Sequence, residues 1–138
     1  MAQEMTFLKI THQTSHRNAK RYQRPIDLCQ RKLRSRSRPD GLNFPVLSES
    51  CILYIDEQTI YATHGHINSP ANPPKLHKGD ILLTGHTHIP AWEEYDNFLY
   101  LNPGSVSIPK EGSEHGYMIY EDKTFLWKTL KGDVYHTL

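Results

Sequence analysis

Apolar and polar positions divide this chain into two unlike parts, with the change near residue 40. Beyond it, short β-branched and aromatic runs recur between turn signals. Cys51-Ile52-Leu53-Tyr54-Ile55 and Thr59-Ile60-Tyr61-Ala62-Thr63 flank Asp56-Glu57-Gln58 and predict a hairpin. Asp80-Ile81-Leu82-Leu83-Thr84 shows no alternation, the pattern of a strand buried on both faces. Ala91–Tyr95 and Phe98–Leu101 around Asp96-Asn97 predict a second hairpin, and Gly116–Tyr120 and Thr124–Thr129 around Glu121-Asp122-Lys123 a third. Val134-Tyr135-His136 predicts an added edge strand. Residues 67–79, carrying Asn68, Pro70, Asn72, Pro73 and Pro74, read as a loop with room for one helical turn. Residues 43–136 are therefore expected to be mostly β.

The first forty residues give a poorer signal. Phe7, Leu8 and Ile10 allow a short strand within Met5–Thr11. Ile26, Cys29 and Leu33 lie at helical spacing, but Pro25 and the following arginines confine any helix to about two turns, a length that is marginal in water. The segment 1–40 is expected to be weakly ordered, and 41–138 to hold the folded part.

Charge sharpens the division. Residues 1–40 carry ten Lys and Arg against Glu4, Asp27 and Asp40, a net +7, whereas 41–138 carry six Lys against twelve acidic residues, a net −6. Arg31-Lys32-Leu33-Arg34-Ser35-Arg36-Ser37-Arg38 has the charge to neutralise phosphates, so contact with nucleic acid is one reading. No aromatic residue interleaves with these arginines to stack a base, which favours a solvated segment.

Nine prolines, eight glycines and 37% hydrophobic residues, with a mean hydropathy of −0.64, describe a turn-rich globular chain. No apolar run approaches the ~20 residues of a membrane span. There is no apolar leader-like run at the N-terminus, and Cys29 and Cys51 form no CxxC motif. These features point to a reducing cytoplasm and to structural or incidental roles for both thiols.

Histidine supplies the candidate chemistry. His64-Gly65-His66 and Gly85-His86-Thr87-His88 each follow an apolar β-run, and imidazole is the commonest side-chain metal ligand at neutral pH. A lone His-x-His more often marks an exposed loop tip; two of them at strand ends argue for a metal site. Gly85 allows close backbone approach. His12, His16, His77, His115 and His136 lack such settings. Asn102-Pro103-Gly104-Ser105 follows another strand as a rigid turn that could present Asn102, Ser105 and backbone N–H groups to an anion, or simply join two strands.

His-Gly-His, then Gly-His-Thr-His-Ile-Pro, then Asn-Pro-Gly-Ser-Val-Ser-Ile-Pro-Lys, in this order and β setting, resembles the calcineurin-like metallophosphoesterase superfamily, and within it the small YfcE-like phosphodiesterase family. The resemblance runs from about Leu42 to Val134, the C-terminal half of that family's domain. It implies an α/β (α+β) fold derived from an αββα sandwich of two mixed sheets. It also implies His64 and His86 as ligands of the second metal and His88 as a ligand of the first. His66 takes a position near the metals, and Asn102, Gly104 and Ser105 support the site. The family's cofactor is a pair of divalent ions, expected to be Mn²⁺, and its substrate a small phosphodiester or phosphate ester.

The family's other ligands come from Asp-x-His, Gly-Asp and Gly-Asn-x-Asp motifs, and residues 1–40 contain none of them: Ile10 stands two before His12, and neither Asp27 nor Asp40 follows a glycine. The expectation is a truncated or frame-shifted version with a foreign N-terminal segment, a divergent true N-terminus being the alternative. Without carboxylates at most one ion is expected to bind, with hydrolysis weak or absent. A non-catalytic binding or scaffold role is the competing class.

Overall fold

The computed structural model describes residues 8–10 and 49–138. The readings made for the rest of the N-terminal segment, its weak order and its arginine-rich arm among them, lie outside the described residues. Nine strands are found and no helix among the described residues: β1 Leu8–Ile10, β2 Ser50–Ile55, β3 Gln58–Thr63, β4 Asp80–Leu83, β5 Pro90–Glu94, β6 Phe98–Pro103, β7 Gly116–Glu121, β8 Thr124–Thr129 and β9 Val134–Thr137. They form two mixed sheets, one in the order β1-β7-β8-β9 and the other β2-β3-β4-β6-β5.

The three expected hairpins are the antiparallel pairs β2–β3, β5–β6 and β7–β8, and β9 joins the edge next to β8. Two hairpins turn through adjacent left-handed residues, Asp56 and Glu57 at φ 49° and 69°, and Asp122 and Lys123 at 49° and 62°. That backbone twist matches the twist of paired strands, which is why such turns close two-residue hairpins without glycine. Leu8–Ile10, inside the strand allowed for Met5–Thr11, runs parallel to β7 with Leu8 opposite Met118. The 67–79 loop has no helical turn; a single bridge between Ser69 and Asn72 closes it instead. Three prolines within five residues remove the N–H donors a helical turn would need.

The unbroken apolar run of β4 sits between β3 and β6, parallel to both, with Ile81, Leu82 and Leu83 all buried. Ile81 and Leu83 face the other sheet and join Ile60, Ala62 and Leu101 against Met118, Tyr120, Phe125 and Trp127. Leu82 faces outward and packs with Phe98 and Tyr100 under Tyr61, Leu76 and Ala91. Each such aliphatic side chain contributes about 2 kcal/mol on burial, so β4 is the natural centre of the fold.

Polar groups tie the sheets across this core. The Trp127 indole N–H donates to the Asn102 carbonyl at 2.8 Å. Burial, and then a hydrogen bond with the Asp56 carboxylate, push the Tyr120 phenol up to about 12. His136 stacks on Trp92 at 3.6 Å between centroids and meets Trp127 edge-on, and burial lowers its imidazole below the ordinary range, holding it neutral. Cys51 is a free, half-buried thiol that burial keeps protonated.

Candidate metal centre

Parallel pairing of β3, β4 and β6 brings their C-terminal ends to one edge of the sheet. His64-Gly65-His66 leaves β3, Gly85-His86-Thr87-His88 follows β4, and Gly104-Ser105 continues from β6. Ligand sites in sheets with parallel strands gather at such ends because the loops there converge. The first two loops are pinned directly, Gly85 N–H donating to the His64 carbonyl at 3.0 Å.

Three imidazoles meet at this edge. His64 and His86 rings lie 5.0 Å apart, His64 and His66 5.2 Å, and His66 and His86 6.4 Å. His64 Nε2 is 3.2 Å from His86 Nδ1. Two nitrogens bound to one tetrahedral ion at about 2.05 Å each would be roughly 3.3 Å apart, so this pair fits neighbouring corners of a single coordination sphere. Ligation would require both facing nitrogens to be unprotonated, with the ring protons on His64 Nδ1 and His86 Nε2.

His88 is seated differently. It is buried, and its Nδ1 lies 2.9 Å from the Ile108 carbonyl. Opposite a carbonyl, Nδ1 carries the proton and Nε2 the lone pair, the tautomer that metal-ligating histidines usually have. No group of three or more His, Cys, Asp or Glu that could hold one ion occurs among the described residues. The donor set thus fits a two-nitrogen site on His64 and His86, with His88 fixed two residues further along, and among the described residues no carboxylate joins them.

The backbone here is held under strain. His86 and His88 both have positive φ, 64° and 65°. Thr87 N–H closes back on the Gly85 carbonyl at 2.7 Å, making a three-residue turn centred on His86. A γ-turn with positive φ at its centre is the rarer, strained form, and it persists only where neighbours over-determine it. Asn102 is the chief neighbour. Fully buried, it donates from Nδ2 to the Gly85 carbonyl at 2.8 Å and to Thr87 Oγ1 at 3.0 Å, and accepts the Gly104 N–H on Oδ1 at 2.9 Å.

Gly104 (φ 83°) and Ser105 complete the turn: Ser105 Oγ accepts the Ile108 N–H at 3.0 Å, which places the carbonyl that receives His88. Gly104 and Ile108 N–H groups are therefore spent inside the turn rather than presented to an anion. Thr87, Ile108 and Trp127 escaped the sequence reading. The first was visible only as a loop polar residue, the second acts through its carbonyl, and the third lies on the other sheet.

Gly65 lets the two histidine loops touch. Its φ is 109°, and a Cβ there would lie 3.1 Å from Thr84 Cβ and 3.3 Å from His86 Cβ. Gly65→Ala is expected to lower stability by about 2 kcal/mol through backbone strain and crowding. Thermal unfolding of the purified variant measures this, and an unchanged midpoint would show that the loops separate freely.

A two-sheet fold with histidine loops at the ends of parallel strands defines a metallophosphoesterase-type domain. Residues 38–124 match the calcineurin-like phosphoesterase superfamily domain, and the chain belongs to that family. It is 41% identical over 76 residues to phosphodiesterase YfcE of Escherichia coli K12, and equally to that of E. coli O157:H7, a match covering 55% of this chain and 41% of each relative. The solved structure of YfcE, a phosphoesterase from E. coli, superposes with a TM-score of 0.66 at 32% identity, covering 70% of this chain and 54% of that one. The chain thus spans about half or less of the length of the relatives it matches. Phosphoesterases of this superfamily generally depend on divalent metal ions. No helix among the described residues is long and apolar enough to cross a membrane.

Proposed function

We propose that this chain carries the histidine part of a divalent-metal phosphodiesterase centre and, acting alone, hydrolyses phosphodiesters weakly or not at all. The observation that carries the reading is the 3.2 Å approach of His64 Nε2 to His86 Nδ1 at the ends of neighbouring parallel strands. His64 and His86 would hold a single ion, while the Ile108 carbonyl holds His88 by Nδ1 and leaves its Nε2 with the lone pair. A bound divalent ion would polarise a phosphoryl oxygen and favour deprotonation of water. The residues themselves position: Asn102 fixes the Gly85–Thr87 turn, Ser105 fixes Ile108, and Gly65 keeps both loops in contact.

Weak activity follows from charge. Neutral imidazoles offset none of the charge of two cations held ~3.5–4 Å apart, the spacing that two-metal hydrolysis needs. Mn²⁺ in particular favours oxygen donors, whereas a pair of imidazoles suits Zn²⁺ or Ni²⁺. The substrate class is a small phosphodiester or phosphate ester. A non-catalytic, metal-holding role is the second reading, favoured by the lack of any three-donor group among the described residues.

Calorimetric titration with Zn²⁺, Ni²⁺ and Mn²⁺, paired with hydrolysis of bis(p-nitrophenyl) phosphate, tests the proposal. One ion is expected to bind, at least about tenfold more weakly in His86→Ala, since even outer-shell changes cost that much. Hydrolysis is expected to stay near the metal-only background. Robust turnover abolished by His86→Ala would mean that carboxylates from elsewhere complete the centre and would overturn the weak-activity reading. Failure of the unmodified chain to bind any of the three ions would overturn the metal centre itself.

A further inference from the structure

We infer that Trp127, on the opposite sheet from every histidine of the candidate centre, is a positioning residue that sets the affinity of that centre by acting through Asn102. The inference rests on the metal-centre reading above. Trp127 lies on β8, is fully buried, and sends its indole N–H across the core to the Asn102 carbonyl at 2.8 Å. Asn102 sits near the end of β6, and its side chain is the shared support of the two segments that place the ligands. One amide group holds Gly85 and Thr87 on either side of His86 and accepts the N–H of Gly104, which leads to the Ile108 carbonyl against His88.

The Asn102 amide is carried on a backbone whose carbonyl accepts the Trp127 indole N–H, so a ring that cannot shift holds the base from which the amide reaches Gly85 and Thr87. Trp127 is such a ring. Trp92, from β5 of the facing sheet, meets it edge-on at 5.3 Å and 69°, and His136, from β9, at 5.2 Å and 68°. Those two rings are themselves stacked at 3.6 Å and 13°. Three aromatic rings from three strands thus lock one N–H in place.

The turn centred on His86 is strained, with His86 and His88 both at positive φ, so it relaxes toward ordinary backbone as the support from Asn102 weakens. A small shift at Asn102 would then part His86 Nδ1 from His64 Nε2, and two-point ligation depends on that spacing. The indole N–H should consequently appear in metal affinity and not merely in folding stability.

The decisive variant replaces Trp127 by benzothienylalanine, which keeps the bicyclic shape and removes the N–H; Trp127→Phe is the genetically encoded counterpart. Phe125→Leu, a change in the same buried core on the same strand that leaves the Trp127 indole N–H in place, controls for lost stability. Zn²⁺ affinity is read by calorimetry on the folded full chain, with thermal unfolding alongside and His86→Ala in parallel. Both Trp127 variants are expected to bind Zn²⁺ about tenfold more weakly, the scale of outer-shell changes, while Phe125→Leu binds as the unmodified chain does. Unchanged affinity in the benzothienylalanine variant, with affinity lost in His86→Ala, overturns this inference and leaves the metal centre standing. Unchanged affinity in His86→Ala overturns the metal centre and this inference with it. An equal loss in Phe125→Leu also overturns it, by showing that any core damage suffices.

Discussion

Replacing Trp127 by alanine is expected to remove about 4 kcal/mol of folding stability, within the range for large aromatic-to-alanine changes in a core. The ring is wholly buried between the sheets, among Met118, Tyr120, Phe125 and the inner residues of the facing sheet. Its removal leaves a cavity too large for its neighbours to fill, because strands fixed by their ladders cannot collapse inward. It also takes away the edge contacts with Trp92 and His136 and the indole hydrogen bond to the Asn102 carbonyl. Domains of this size have about 5–15 kcal/mol in total, so the variant should be close to unfolding at physiological temperature. Equilibrium urea unfolding followed by far-ultraviolet circular dichroism gives the number. A loss under about 1 kcal/mol, typical of surface positions, would show that the inter-sheet core is not packed around this ring.

Asn102→Ala should cost about 2–3 kcal/mol for a different reason. Few carbon atoms are lost; the damage is to hydrogen bonding in a place that water does not reach. The Gly104 N–H loses its acceptor, and orphaning a buried backbone group costs about 1–3 kcal/mol. Gly85 and Thr87 keep other partners, so their share is smaller, but the strained turn at His86 loses its support. Asn102→Asp distinguishes this account from simple loss of volume. It retains an acceptor for Gly104 while setting a carboxylate against the Gly85 carbonyl, so it should be no better than alanine. Unfolding curves report the stability, and amide exchange of Thr87 and Ile89 reports the turn. An aspartate variant as stable as the unmodified chain, with its Thr87 amide still protected, would contradict the role given to the Asn102 amide group.

Much of the architecture was legible in the chain itself. The runs around Asp56-Glu57, Asp96-Asn97 and Asp122-Lys123 announce hairpins because apolar residues gather on both sides of short polar turns, and all three form. The unbroken run from Ile81 to Leu83 announces a strand with both faces covered, and it has them. The loop from 67 to 79 forms no helical turn, although its Asn and Pro residues suit turn starts as well as loops. The ties made by backbone atoms, such as Ile108 to His88, leave no trace in side-chain identity.

Strands, turn positions and histidine motifs can be read locally, because each depends on residues close together in the chain. The parallel run of β3, β4 and β6, which brings His64, His86 and Asn102 to the same edge, arises only on assembly of the sheet. Parallel neighbours are joined by long connections whose direction no local pattern encodes. Pairing also decided that the outward face of β6 supplies the Asn102 amide to one loop while its carbonyl receives Trp127 from the other sheet. That contact joins residues 25 apart in the chain. It exists because strand alternation and sheet packing bring an indole N–H, which needs a partner once buried, to a carbonyl of the facing sheet, a balance settled only when the whole core is assembled.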